Sequence, residues 1–184
     1  MEERFSEKIG RKFINLARET LKAEFKKNKI SAPNTIDFRK SHALFVTLKK
    51  KETRYSGSPV ATYCIGDAII KATKKAAFES KKGRFIKTEE DMNKTKIEIS
   101  ILNKPTKIKG NILDNFTLGS DGLICKFFGY TGILLPQVAH ENNFTKTEFL
   151  EELCKHAGVP KDHWRKPAIS FYKFQVQLFR EPTS

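Results

Sequence analysis

Few residues in this chain could do covalent chemistry. The three cysteines, Cys64, Cys125 and Cys154, are far apart, odd in number and form no Cys-x-x-Cys pair. That pattern indicates neither a disulfide framework nor a zinc site. The four histidines, His42, His140, His156 and His163, show no metal-ligand spacing, so no metal and no cofactor is expected. Cys64 sits in a Cys-Ile-Gly triplet just ahead of a helix-like run, a setting in which thiols can become nucleophilic. A free cysteine is also among the most buried residue types, and Cys64 is expected to pack at the helix entry. Cys125 and Cys154 lie among apolar neighbours and read as packing. Ser56, in "TRYSGSP", needs an adjacent base to act as a nucleophile. His42 upstream is the candidate base, no Gly-x-Ser-x-Gly elbow is present, and the alternative is an ordinary turn serine. Arg54 offers a planar, permanently charged fork for a carboxylate or phosphate. Its plainer role is a surface arginine beside the run Lys49 to Lys51.

Charge supplies the next constraint. The 184 residues carry 35 Lys+Arg and 21 Asp+Glu, a net charge of +14. Residues 110–184 hold eight of each sign, so the first 109 residues, with 27 basic and 13 acidic, hold the whole excess. A positive face is expected there, attractive to nucleic acid, an acidic partner or a phosphorylated ligand. Stacking aromatics do not alternate with the lysines in an RNA-binding pattern, so nucleic acid is the lesser expectation. No apolar run approaches the roughly 18 residues a membrane span needs. The start, "MEERFSEKIGRKF", lacks the apolar stretch of a secretory signal. An intracellular protein without membrane contact is therefore expected, cytoplasmic in a prokaryote or archaeon.

The elements that must position these residues follow from periodicity. Ile9, Phe13, Leu16, Ala17, Leu21 and Phe25 form a helical stripe that ends at "NKISAPNT". "ALFVTLKK" reads as a buried strand, and "TRYSGSP" as a turn punctuated by Gly57 and Pro59. Asp67 to Ser80 reads as a helix burying Ile69, Ala72, Ala76 and Phe78. Thr88 caps a short helical turn. "KIEISIL" alternates Ile97, Ile99 and Ile101 against Lys96, Glu98 and Ser100, a half-buried strand. "DGLICKFFGYTGILLP" reads as a hairpin turning at Gly129 to Gly132. In "TKTEFLEELCKHAGVP", Thr145 and Glu148 form a capping box, Phe149, Leu153 and Ala157 the apolar stripe, and Gly158 the end. "AISFYKFQVQLFRE" reads as one long central strand. Helices and strands mix without regular βαβ alternation, which predicts an α+β fold with a largely antiparallel sheet. One domain spans 1–184, with residues 1–40 as an N-terminal helix and linker.

The strings "FVTLKK", "DAIIKATKKAAF", "KIEISIL", "DGLI", "GILLPQVA", "FLEELCKHAGVP" and "YKFQVQLF" occur here in that order. In order and spacing the chain resembles the AMMECR family from about Ala43 to Glu181. The resemblance implies larger and smaller sub-domains with a cleft between them. It implies no established activity, although a conserved cysteine in the hallmark Leu-Arg-Gly-Cys-Ile-Gly has suggested an enzyme. It also implies possible links to Memo-type and radical-SAM-type partner proteins. In this chain the hallmark falls on "TRYSGSP". Arg54 matches the family arginine, Gly57 and Pro59 match the later glycine and proline with one residue deleted, and Ser56 stands where the cysteine belongs. Cys64 comes too late to replace it. Gln137 and Glu141, in "LLPQVAHE", supply an amide and a carboxylate that could line the implied cleft.

These readings together predict a cleft that binds an anionic small ligand or partner through Arg54, Gly57, Gln137 and Glu141. The alternatives are an enzyme using Cys64 or Ser56 as nucleophile, and a nucleic-acid-binding module using the basic N-terminal portion.

Overall fold

The computed structural model describes residues 4–79 and 83–182. The chain forms two units, residues 1–101 with 177–184, and residues 102–176. The first unit has 25 Lys+Arg against 14 Asp+Glu, and the second 10 against 7. The basic excess therefore belongs mainly to the first.

In the first unit Ser6 opens α1 (Glu7–Phe25) by accepting the Ile9 N–H at 3.4 Å. After α2 (Ile36–Arg39) come β1 (Leu44–Lys49), β2 (Thr53–Ser58), α3 (Ile65–Phe78), α4 (Glu89–Lys94) and β3 (Lys96–Leu102). The sheet is completed by β8 (Val176–Arg180), in the order β2-β1-β3-β8. Strand β1 is antiparallel to both neighbours, with Val46 opposite Ser56 on one side and Ile99 on the other. Phe13 and Leu21 of α1, Leu48 of β1, Ile65 and Ile69 of α3, and Ile97 and Ile99 of β3 are fully buried in one core. Each contributes about 1.5–3 kcal/mol of transfer free energy. Arg18 locks the β3–β8 side. Its guanidinium donates to both Glu181 carboxylate oxygens and to the Met92 and Thr95 carbonyls, at 2.6–2.9 Å. Glu181 Oε2 also accepts the Ile97 N–H at 3.0 Å.

The second unit has β4 (Thr106–Lys107), β5 (Gly122–Phe127), β6 (Tyr130–Leu134), α5 (Gln137–Glu141), α6 (Lys146–Ala157) and β7 (Ser170–Phe174). Its antiparallel sheet runs β4-β7-β5-β6. The Thr145–Glu148 capping box forms, and α6 ends at Gly158. Phe149, Leu150 and Leu153 of α6 pack with Leu123 and Leu134 in a core separate from the first. The two antiparallel sheets with their helices make this an α+β protein, as the mixed pattern predicted.

Five local expectations need correction. "TRYSGS" is strand β2 rather than a turn, with Arg54, Ser56 and Ser58 half-buried on one face and Thr53, Tyr55 and Gly57 exposed on the other. Gly57 permits this pairing, because a Cβ there would stand 2.1 Å from the Leu44 carbonyl oxygen. Strand β3 is buried on both faces from Ile97 onward. Lys49 and Arg180 pair with the Glu98 carboxylate at 3.0 Å each, which lets a charged residue sit inside. The hairpin turns at Phe128–Gly129, while Gly132 lies within β6. The final run is two strands. Gln175 breaks it, its N–H donating to Asn103 Oδ1 at 2.8 Å and its carbonyl accepting the Asn103 N–H at 3.1 Å. Strand β7 is internal to its sheet and β8 is an edge of the other. Helix α3 starts at Ile65, two residues earlier than predicted; Ser80, its predicted end, lies outside the described residues.

Candidate functional site

Small side chains on two facing walls create a cavity in the first unit. One wall is the end of β2, Ser56, Gly57 and Ser58; the other is α3, with Ala68 and Ala72. Larger residues at Ser56, Ser58, Ala68 or Ala72 would fill the space, while Gly57 lines it with backbone. His42, Leu44, Val60, Thr62 and Tyr63 complete the lining together with Lys71 and Lys75, around a volume of about 230 Å³. Ser58 Oγ accepts the Val60 N–H at 3.1 Å and so shapes the loop that leads into α3.

The electrostatics of this cavity are one-sided. Lys71 and Lys75 are one helical turn apart and so share a helix flank. The neighbouring Lys74 points elsewhere and pairs with Glu24 of α1 at 2.7 Å. Lys71 Nζ stands 3.5 Å from the centroid of the Tyr63 ring, an attractive contact that holds the ammonium at the cavity. Among the described residues, no Asp or Glu lines the cavity. It therefore presents two ammonium groups, three hydroxyl side chains besides the Tyr63 phenol, and an imidazole, over an apolar floor of Leu44, Val60, Ala68 and Ala72. Such a set can hold an anion with an apolar body.

The residues singled out from sequence are divided by the fold. Ser56 and Gly57 line the cavity, and so does His42. Arg54 shares the Ser56 face of β2 but does not line it. Its side chain is only 16% exposed, 3.7 Å from Glu52, 3.5 Å from the Gly83 carbonyl and 5.7 Å from the Phe85 ring centroid. Gln137 and Glu141 belong to α5 of the second unit. Cys64 is the N-cap residue of α3 and is half-buried, not largely buried as expected. Its thiol donates to Asp67 Oδ2 at 3.3 Å and does not line the cavity. Cys125 and Cys154 are fully buried. Burial pushes both thiols up, Cys154 to about 11 with a further contribution from Cys125 beside it, so neither is a thiolate near neutral pH. Sequence reasoning did not single out Lys71 and Lys75. Their signal was the pair of alanines, Ala68 and Ala72, on the adjoining stripe.

Fold and cavity together define an α+β protein of two antiparallel-sheet units, with a basic cavity in the first. Comparison with known proteins makes this specific. The AMMECR1 family profile matches residues 14–179, and the chain belongs to that family. Protein TV1384 of Thermoplasma volcanium is 34% identical over 182 residues, covering 94% of this chain and 90% of its own. A Methanosarcina mazei protein is 32% identical, covering 96% and 93%. The crystal structure of the uncharacterized protein PH0010 from Pyrococcus horikoshii superposes with a TM-score of 0.85 at 30% identity, covering 94% of this chain and 91% of that one. No helix among the described residues is long and apolar enough to cross a membrane.

Proposed function

We propose that the first unit is a receptor for a small anionic ligand, held between β2 and α3. The observation that supports it is the placing of Lys71 and Lys75 with Ser56 and Ser58 around one cavity that, among the described residues, no acidic side chain lines. A lysine ammonium is a mobile point charge suited to phosphate or carboxylate oxygens, and serine hydroxyls can donate to the same oxygens. The unit's surplus of 25 basic over 14 acidic residues adds a long-range field that raises the local anion concentration. Arg54, further along the same β2 face, contributes to that field. Binding needs no covalent step. Ser56 and His42 serve as polar lining, and the serine at the family's cysteine position is no obstacle.

Isothermal titration with inorganic phosphate, a phosphate monoester and a short carboxylate tests the reading. Saturable binding that weakens about tenfold or more in Lys71→Gln/Lys75→Gln is expected, as for loss of charge-assisted hydrogen bonds. Equal binding by this variant and the unaltered protein would overturn it.

A further inference from the structure

The cavity lies beside an open sheet edge. Strand β2 is the terminal strand of its sheet, and among the described residues no strand other than β1 neighbours it. Open edges present unpaired N–H and C=O groups that can template another strand. Helix α3 packs with α1 on one flank, where Lys74 meets Glu24, while Lys71 and Lys75 line the cavity beside β2. An edge strand flanked by a helix is the geometry in which extended peptides add to a sheet. Resting on the anion-site reading above, we infer that this groove accepts an extended acidic segment of a partner protein, which adds to β2 as a fifth strand.

Spacing supplies the charge complementarity. Lys71 and Lys75, four residues apart on a helix, are separated by about 6 Å along its axis. Alternate residues of an extended strand are separated by about 6.6–6.8 Å. Carboxylates at alternate positions of an added strand would therefore point toward α3 in step with the two ammonium groups. The intervening residues would point to the opposite face of the sheet. There Tyr55 is 38% exposed and packs edge-to-face against Phe45 at 6.2 Å. The segment recognised thus alternates acidic with apolar residues.

The test uses capped seven-residue peptides of alternating glutamate and valine. Two versions are N-methylated on one or the other set of alternate amides, so that only one set removes donors facing β2. The unmethylated peptide is expected to bind and to slow hydrogen exchange at the amides of residues 53–58. One methylated version is expected to lose binding, and the other to retain it. Lys71→Gln/Lys75→Gln is expected to weaken binding about tenfold or more. Equal binding by both methylated peptides would mean docking by charge alone and would overturn strand addition. Phosphate binding without peptide binding would overturn this inference and leave the anion site standing; failure of both would remove the two together. Aggregation of the lysine variant, with no peptide bound by the unaltered protein, would assign the lysines to guarding the edge and also overturn the inference.

Discussion

Strands β2 and β6 are both sheet edges, and helices treat them differently. In the second unit α6 lies directly on β6: a Cβ at Gly132 would stand 2.5 Å from the Leu153 carbonyl oxygen and 2.8 Å from the Ala157 nitrogen. That face of β6 is closed by backbone contact with α6, and Cys125 and Cys154 are buried as packing. In the first unit α3 leaves a cavity beside β2 and lines it with lysines. The same supersecondary arrangement is used once for closure and once for access. Binding capacity comes from side chains too small to fill the gap, and selectivity comes from the charges around it.

The contrast can be broken at the locked places first. Arg18→Ala leaves Glu181 and two carbonyls of the first unit without their cation and is expected to cost about 3 kcal/mol, the low end for a fully buried pair because both side chains keep some exposure. Urea denaturation measures it, and a cost below about 1 kcal/mol would make the network incidental. Gly132→Ala is next, at about 1–3 kcal/mol, because backbone of α6 must move to admit the methyl. An unchanged midpoint would show that α6 does not close tightly over the face of β6. Thr145→Ala removes the capping box of α6 and is expected to cost about 1 kcal/mol in the same assay. Lys71→Gln/Lys75→Gln should change stability by less than about 0.5 kcal/mol while abolishing anion binding, since both side chains are exposed. A large loss of stability would move these lysines from the ligand to the fold.

What could be read from sequence follows the strength of local physics. The α6 capping box, the apolar stripe of α1 and the β1 strand are patterns that fix themselves within a few residues, and all three appear as read. "TRYSGS" could not be recognised as a strand, because its polar composition resembles a turn and only pairing with Leu44 to Lys49 makes it extended. The division at Gln175 was equally hidden, since it depends on Asn103, far away in sequence. The candidate site was legible in part. The "TRYSGSP" segment was singled out, and its Ser56 and Gly57 line the cavity. The lysines opposite were not, because a helix flank shows its neighbour only after folding.

The most direct test of the central claim is an amide chemical-shift titration of the ¹⁵N-labelled protein with a phosphate monoester at physiological ionic strength. Shifts should saturate and concentrate at residues 56–58, 62–63 and 68–75, and vanish in Lys71→Gln/Lys75→Gln. Small, unsaturated shifts spread over lysine-rich surfaces throughout the first unit would contradict a defined anion site.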